Sequence, residues 1–346
     1  MLHGPSYVMD FRRHPQFRYS QDINRFLSAR LAYYLDRQTV SHDDVLTQFR
    51  SDALYRLRVG YDLQGQLEKF ERFDPDVVIV TTTYDRATSL VRLYDSIIAQ
   101  QFSPKIGWVI VENGSSDTTL AQIAAWARWH AGVVFLTYQK SFGYAAPVRN
   151  RGLAFVQWAS RFRTQDRYIW VIDSDDAIHN EFAVAELYSA AKRISAALTH
   201  GFAVCRYEDR YGALIALNTI PREIDRAFPG VLTLKDELDA GPPLLAGMIC
   251  HHYLDHFYYP DEFTMEDDAL ARRIMAWSIN NRLPVTSIYY PTLLKTFHEQ
   301  SMSGANARVG NRDIIMRLGP IVVGGIRAQI VQGLIHARDF FTREGV

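Results

Sequence analysis

Short apolar runs alternate with amphipathic segments through the middle of the chain, a pattern that predicts buried strands separated by helices. Four runs are apolar throughout, as expected for strands covered on both faces. Between them apolar residues recur at three-to-four spacing, for example at Leu90, Leu93 and Ile97. This alternation predicts an α/β fold with a mostly parallel sheet flanked by helices. The predicted strands are residues 77–80, 108–111, 133–136 and 168–172.

The two ends of the chain show helical periodicity without candidate chemistry. We interpret residues 1–75 and 304–346 as helical extensions of a domain that spans residues 76–303. The N-terminal periodicity is carried by Ile23, Phe26, Leu27, Leu31 and Tyr34, and further on by Leu54, Leu57 and Tyr61. Later elements are a strand pair at 202–205 and 214–217, a strand near 248, a helix from 266 with Leu270, Ile274 and Trp277 inward, and C-terminal helices over 311–342.

Three carboxylates, Asp173, Asp175 and Asp176, follow the fourth predicted strand within four positions. Carboxylates packed at the end of a buried strand repel one another unless a cation or hydrogen-bond donors offset their charge. Hard divalent cations such as Mg²⁺ prefer oxygen ligands and commonly share them with substrate phosphates. The segment therefore predicts a metal–diphosphate site, although a solvated acidic turn that caps a helix has the same local pattern.

Charge and composition exclude several classes of protein. Across 346 residues, 38 Lys and Arg balance 38 Asp and Glu, which argues against a nucleic-acid partner because such proteins favour a basic face. The two cysteines, Cys205 and Cys250, have no paired spacing and fit a reducing compartment. No signal-peptide pattern and no apolar run of membrane-span length occurs. We therefore expect a cytoplasmic protein, with the C-terminal helix as a candidate for peripheral membrane contact.

Polar segments follow three of the predicted strands: Thr83–Asp85, Glu112–Asn113 and Asp173–Asp176. Ligands of open parallel sheets bind at the carboxyl ends of the strands. Three unrelated solvated turns need not share one edge, so their common position predicts a single binding site.

Several ordered segments resemble motifs of the GT-A fold glycosyltransferases, in particular the inverting family 2 type. The resemblance spans residues 76–303 and implies the Rossmann-like fold of nucleotide-diphospho-sugar transferases. Its segments are an opening strand and loop at 78–85, a Val-Asp-Asp-Gly-Ser-x-Asp-like stretch at 109–117, an Ala-Arg-Asn-x-Gly-like stretch at 143–152, the Asp-x-Asp motif at 173–176, a Glu-Asp helix start at 265–268 and a His-x-x-Ser segment at 297–303.

The chain departs from the family pattern at four positions. Thr82 stands where the family has Pro, and Asp85 where it has Asn. Glu112 and Asn113 replace an Asp-Asp pair, which leaves the selectivity for the nucleotide base open.

The resemblance implies a UDP-, GDP- or dTDP-sugar donor, an unidentified hydroxyl acceptor and Mn²⁺ or Mg²⁺ as cofactor. Asp175 is the expected metal ligand, with Asp173 and with His298 as a further ligand. Asp267 is the expected general base that deprotonates the acceptor, and Asp268 is its rival through a shift in register. The residues expected around the donor are Thr83, Tyr84, Asp85, Glu112, Asn113, Arg149, Asp173, Ser174 and Asp176.

Other functions fit less well. A nucleotidyltransferase would carry an early glycine-rich phosphate loop, whereas Thr81–Asp85 follows the first strand. A non-catalytic sugar-nucleotide or glycan-binding scaffold would need neither Asp175 nor Asp267, and a retaining transferase would not need Asp267. The acceptor is expected to be a glycan, a lipid-linked precursor or a natural product, and the terminal helices are candidate surfaces for a homo-oligomer.

Residues 241–259 precede the expected base and are the candidate acceptor-binding segment. They contain His251, His252 and His256, which suggest a second metal site. No further carboxylates stand at ligand spacing along the sequence, so we do not assign a metal to these histidines from sequence.

Overall fold

The computed structural model describes residues 6–9, 42–208, 214–219, 246–259 and 283–297, with residues 270, 273, 274, 277, 278 and 281 between the last two ranges. The predicted periodicity at residues 23–34, the start of the helix at 266 and the C-terminal helices at 311–342 lie outside these residues. Within the helix predicted from residue 266, Leu270 and Ile274 are helical and buried, as expected.

The described part of the chain forms helices on both sides of one sheet, with a 3₁₀ helix, η1 (His251–His256), near its end. The α-helices are α1 (His42–Tyr55), α2 (Leu63–Phe73), α3 (Ala87–Ile98), α4 (Thr119–Trp129), α5 (Ala145–Ser160) and α6 (Ala183–Ile194). The strands are β1 (Ser6–Met9), β2 (Val77–Thr83), β3 (Ile106–Glu112), β4 (Val133–Thr137), β5 (Tyr168–Val171), β6 (Ala177–Ile178), β7 (Leu198–Glu208), β8 (Leu214–Thr219), β9 (Gly247–Cys250) and β10 (Val285–Phe297).

The ten strands form one sheet in the order β1-β10-β7-β9-β5-β2-β3-β4, with β6 paired to β10 and β8 to β7. The half built from β5, β2, β3 and β4 is entirely parallel. β9 lies antiparallel between β5 and β7, and β7 and β10 are again parallel to each other. This arrangement confirms the predicted α/β fold. The strand pair predicted at 202–205 and 214–217 is present as the antiparallel strands β7 and β8, and further antiparallel pairings involve β1, β6 and β9.

Successive side chains of each strand point to opposite faces of the sheet, so the apolar runs feed two cores. On β2, Val78 and Val80 pack in the core that contains α1, α2 and α5. Val77 and Ile79 pack in the core that contains α3, α4 and α6. Burial on both faces explains why these strands are apolar throughout.

The helix α5 lies unusually close to the sheet at Gly152. A Cβ atom at this position would lie 2.5 Å from Val80 Cγ1 and 3.0 Å from Val111 Cγ2. The glycine of the Ala-Arg-Asn-x-Gly-like stretch therefore permits the close packing of α5 on β2 and β3. Since α5 also carries Arg149, this contact sets the height of that side chain above the sheet.

Replacing Gly152 by Ala is expected to destabilise the fold. Alanine favours a helix by about 1 kcal/mol over glycine, but overpacking a close-packed core costs about 1–3 kcal/mol, and the clash with two branched strand residues should dominate. Urea unfolding followed by circular dichroism measures the change. A midpoint equal to or above that of the wild type would contradict the packing role.

Residues between α1 and α2 depart from the predicted helical periodicity. Leu57 forms an isolated antiparallel bridge with Tyr138, just beyond β4, and Gly60 has a left-handed φ of 79°. The predicted helical pattern is therefore wrong at Leu57 and Tyr61, because the chain pairs with the sheet margin there instead. β1, antiparallel to β10, is a further element that helical periodicity did not predict.

Among the described residues, no helix combines the length and the apolar character needed to cross a lipid bilayer.

Candidate active site

The carboxyl ends of β2, β3 and β5 lie side by side, because these strands are adjacent and parallel. β2 ends at Thr83, β3 at Glu112 and β5 at Val171, so the three predicted polar segments share one edge of the sheet. The first two loops are joined directly, since Asn113 N donates a hydrogen bond to Thr83 O at 2.9 Å.

The acidic loop, residues 173–176, follows β5 directly. One carboxylate oxygen each from Asp173, Asp175 and Asp176 lies within 4.8 Å of the other two. The loop is a tight turn in which Asp176 N donates to Asp173 O at 3.1 Å, and Ser174 within it is buried. Three like charges at this separation are unfavourable unless positive charge lies nearby.

Two arginines face the acidic loop. Arg149 Nη2, on α5, lies 2.5 Å from Asp173 Oδ1, and Arg86 Nη2, just before α3, lies 4.0 Å from Asp175 Oδ2. Burial alone would raise the pKa of Asp173, but Arg149, followed by Lys295, outweighs it and lowers that pKa below the usual value. Asp173 is therefore held ionised by a short, charge-assisted hydrogen bond.

Lys295 on β10 is a third cation, which the sequence analysis missed. Its Nζ lies 3.8 Å from Asp173 Oδ2 and 3.7 Å from Asp176 Oδ2. β10 reaches the acidic loop because it pairs antiparallel with β6, which follows that loop immediately. The available signal in the sequence was that Lys295 is the sole charged residue in the stretch 285–297.

Asp176 is the most deeply buried of the three aspartates, with 1% of its surface exposed. Its Oδ1 accepts a hydrogen bond from Thr296 N at 2.7 Å, whereas Oδ2 has no hydrogen-bond donor among the described residues. Burial raises the pKa of Asp176 to about 8 despite the opposing effect of Lys295. A buried carboxylate oxygen without a donor is a position that added positive charge would stabilise.

The donor set fits a hard divalent cation. Mg²⁺ and Mn²⁺ prefer carboxylate and phosphate oxygens, and the acidic loop offers one oxygen from each of three aspartates within a few ångströms. The orphaned Oδ2 of Asp176 is consistent with the same requirement for positive charge. His298, the predicted further ligand, lies outside the described residues.

Asp85 joins the loop after β2 to the loop after β3. Its Oδ1 accepts hydrogen bonds from Ser116 N at 2.7 Å and Asp117 N at 3.2 Å, and its own N–H donates to Ser115 Oγ at 3.0 Å. Its φ of 49° is left-handed, a conformation that Asn and Asp tolerate better than other side chains. Aspartate at this position thus preserves the loop geometry that asparagine would also allow.

Glu112 is fully buried at the end of β3. Its Oε2 accepts a hydrogen bond from Thr137 Oγ1 at 2.6 Å, and its Oε1 accepts one from Ser115 N. Both carboxylate oxygens are therefore engaged inside the protein, where they fix the loop to β4. The predicted contact of Glu112 with the donor stays a prediction. In the structure, the Glu112 side chain stabilises the loop after β3 through its bonds to Thr137 and Ser115.

Asn113 connects the loop after β3 to the loop before α5. Its Oδ1 accepts from Phe142 N at 2.9 Å, and its Nδ2 donates to Ser141 Oγ at 3.0 Å. Gly114 has φ 78°, and a Cβ there would lie 2.9 Å from the carbonyl carbon of Lys140. The Asn-Gly pair therefore allows two loops of the site to approach closely.

Thr83 and Tyr84, at the end of β2, offer different surfaces to a ligand. Tyr84 is 48% exposed, while the buried Oγ1 of Thr83 has no hydrogen-bond partner among the described residues.

Asn150 supports Arg149 from below. Its Nδ2 donates to Tyr259 O at 2.9 Å, and its Oδ1 accepts from Tyr259 N at 2.8 Å. The ring of Tyr259 in turn lies under the Arg149 guanidinium, 5.1 Å from its centroid. Two hydrogen bonds and a cation–π contact thus link α5 to the segment after η1 and fix the arginine that holds Asp173.

The N-terminal extension braces the next residue of α5. Arg151 Nε and Nη2 lie 2.7 Å and 2.6 Å from Asp52 Oδ2 on α1, and both side chains are nearly buried. The Arg151 guanidinium also lies 4.9 Å from the Phe142 ring centroid. Removing either partner would leave a buried charge uncompensated.

Replacing Asn150 by Ala should destabilise the fold measurably. It removes two buried hydrogen bonds to the backbone of Tyr259, and a buried polar group that loses its partner costs about 1–3 kcal/mol. Asn281→Ala, at an exposed position with one hydrogen bond to Trp277 O at 2.9 Å, is the matched control. Denaturant unfolding of both variants measures the difference. Equal stability of the two variants would contradict the role of Asn150.

The predicted catalytic residue Asp267 and its rival Asp268 lie outside the described residues, as does His298. Among the predicted site residues that the structure describes, Arg149 contacts the acidic loop directly, through Asp173. Asp85, Glu112 and Asn113 lie at the same edge of the sheet and bond mainly to neighbouring loops.

The model of the family described as Glycosyl transferase family 2 matches residues 64–236, half of the chain. Comparison with curated proteins gave no match.

Among solved structures, the chain is similar to residues 1–349 of S. aureus TarS, with 16% identity, a TM-score of 0.47 and coverage of 64% of this chain and 60% of that chain. It is also similar to the mannosyltransferase PcManGT from Pyrobaculum calidifontis in complex with GDP-Man and Mn²⁺, with 15% identity, a TM-score of 0.42 and coverage of 78% and 66%. The chain spans about three fifths of the TarS structure.

Proposed function

The chain belongs to glycosyl transferase family 2, and we propose that it transfers a sugar from a nucleotide-diphosphate donor to an acceptor hydroxyl, with inversion at the anomeric carbon. We propose a UDP-, GDP- or dTDP-sugar as the donor. The observation that carries this proposal is the acidic loop at the carboxyl edge of the parallel strands, faced by Arg149 and Lys295.

Asp175 and Asp173 are the proposed ligands of Mn²⁺ or Mg²⁺, with His298 as a further ligand. A bound divalent cation supplies charge neutralisation for the diphosphate as it leaves. Arg149 holds Asp173 through Oδ1, so the other oxygen of that carboxylate remains for the cation. Asp176 Oδ1 accepts a hydrogen bond from Thr296 N, and this bond stabilises the turn of the acidic loop.

Lys295 is the proposed contact for the donor diphosphate. Its Nζ lies 3.8 Å from Asp173 Oδ2 and 3.7 Å from Asp176 Oδ2, so it places positive charge beside the proposed metal site, where phosphate oxygens of the donor would be attracted. Tyr84 and Thr83 are proposed to contact the base or ribose, Ser174 to lie beside the donor sugar, and Asp85, Glu112 and Asn113 to hold the enclosing loops.

Asp267 is the proposed general base. It accepts the proton of the acceptor hydroxyl while that oxygen forms a bond to the anomeric carbon. The bond between this carbon and the diphosphate oxygen breaks, and its electron pair leaves with the nucleoside diphosphate. Attack from the side opposite the leaving group inverts the anomeric configuration.

Asp175→Asn keeps the size of the side chain and removes its charge. We expect Mn²⁺-dependent binding of the cognate donor to weaken at least tenfold, or about 1.4 kcal/mol. Calorimetric titration with UDP-, GDP- and dTDP-sugars, in Mn²⁺ and in EDTA, measures this loss. Asp255→Asn, at an exposed aspartate on η1, is the matched control and should bind as the wild type does. Equal metal-dependent affinity in all three proteins would remove Asp175 from the metal site.

Asp267→Asn should abolish proton acceptance while leaving donor binding intact. We expect the transfer rate to fall about 10²–10⁴-fold, the usual contribution of a general base. Asp268→Asn is the control, and a larger loss in that variant would assign the base to Asp268 instead. Nuclear magnetic resonance of the product reads its anomeric configuration, and a retained configuration would contradict the inverting mechanism.

A further inference from the structure

A second cluster of metal-binding side chains lies at the edge of the sheet opposite to the acidic loop. β5 and β9 are antiparallel, and Tyr168 at the start of β5 pairs with Cys250 at the end of β9. This register places Asp166, two residues before β5, beside His252, two residues after β9. A carboxylate more than eighty positions earlier in the sequence is thus brought next to Cys250 and His252.

The cluster has dimensions close to those of a metal site. Asp166 Oδ1 lies 3.5 Å from His252 Nε2 and 3.9 Å from Cys250 Sγ. Cys250 and His252 also offer ligand atoms within 4.8 Å of each other. Ligands of a tetrahedral zinc ion stand about 2.0–2.3 Å from the metal and therefore roughly 3.3–3.8 Å from one another. The two distances from Asp166 Oδ1 come close to this spacing, and metal binding would have to bring His252 Nε2 and Cys250 Sγ to a similar separation.

We propose that Asp166, Cys250 and His252 bind a zinc ion, with a water molecule as the fourth ligand. A set of one sulfur, one nitrogen and one oxygen suits Zn²⁺, whereas Mg²⁺ and Mn²⁺ prefer oxygen ligands. The chain therefore has two chemically distinct metal sites on opposite edges of one sheet, one for a hard cation and one for a softer cation.

His251 supports this site and is not counted among its ligands. Its Nδ1 accepts a hydrogen bond from Arg167 N at 3.0 Å, which engages the lone pair of the neutral ring. Its own backbone N–H donates to Arg167 O at 2.8 Å. These two bonds fasten the residue before β5 to the residue after β9, and so fix the backbone from which the three ligands project.

The surroundings allow a metal to enter and a proton to leave. His252 has 40% of its side chain exposed, which provides access from solvent. Lys192 Nζ lies 3.9 Å from Oδ2 of Asp166, the oxygen that the site does not use. Burial raises the pKa of the Cys250 thiol to about 12, so zinc binding must displace the thiol proton to solvent as the thiolate forms.

Such an ion would join β5 to β9 and η1. It binds the folded chain only, because Asp166 and Cys250 come together through the sheet, and it should therefore raise the melting temperature in proportion to the logarithm of the zinc concentration.

The test uses the full-length protein, stripped of metal with a chelator and titrated with Co²⁺ as a spectroscopic substitute for Zn²⁺. We expect a thiolate-to-cobalt charge-transfer band whose intensity corresponds to one Co²⁺ per chain at the thiolate site, and loss of the band when Zn²⁺ is added. Cys250→Ser should remove the band, whereas Cys205→Ser should retain it. Asp175→Asn should also retain it, which separates this site from the acidic loop.

His252→Gln changes an exposed ligand and therefore keeps the test interpretable if Cys250→Ser does not fold. We expect its zinc affinity to fall by more than the roughly 10–100-fold that loss of an outer-shell partner causes. His256→Gln, on the same 3₁₀ helix and 48% exposed, is the matched control and should bind zinc as the wild type does. A wild-type protein without the thiolate band, or zinc binding that depends on Asp175 and not on His252, would overturn the proposal.

Discussion

The candidate active site depends on how the protein balances three carboxylates at the end of one buried strand. Asp173, Asp175 and Asp176 repel one another, and the sheet brings positive charge to them from three separate elements. Arg149 comes from α5, Arg86 from the start of α3 and Lys295 from β10. Arg149 is positioned by the close packing of α5 at Gly152 and by the Asn150–Tyr259 hydrogen bonds. Lys295 is positioned by the pairing of β6 with β10.

This arrangement is compatible with the proposed binding of a cation and a diphosphate at one site. Asp176 keeps a buried oxygen without a hydrogen-bond donor, which added positive charge would stabilise. Lys295 places positive charge beside Asp173 and Asp176, where it would also attract a phosphate group. A metal bound together with a diphosphate would therefore bring positive charge to Asp176 and negative charge to Lys295.

The sequence alone predicts the parts of the fold whose signals are local. The alternation of apolar runs and helices predicts that β2 to β5 are parallel. Parallel strands place the polar residues that follow them at the same edge of the sheet, so the position of the site follows from the sequence pattern. Lys295 could not be predicted, because its contact with Asp176 spans more than a hundred residues and depends on β10 pairing with β6. The burial of Glu112 was missed for a similar reason, since its partner Thr137 lies on the next strand.

The cluster of Asp166, Cys250 and His252 could not be predicted from the sequence for the same reason. Three histidines in residues 251–256 suggest a metal, but no ligand spacing along the sequence includes Asp166. The antiparallel β5–β9 register brings that carboxylate to Cys250 and His252. Helical periodicity likewise failed at Leu57, where pairing with Tyr138 outweighed local preference.

Use of a nucleotide-sugar donor at the acidic loop can be measured directly as the release of nucleoside diphosphate from a panel of UDP-, GDP- and dTDP-sugars by the purified chain with Mn²⁺. We expect slow hydrolysis of one donor, which stops when EDTA removes the metal and resumes when Mn²⁺ is restored. Absence of hydrolysis, together with absence of binding of every donor in the presence of Mn²⁺, would contradict the assignment of the acidic loop to a donor diphosphate.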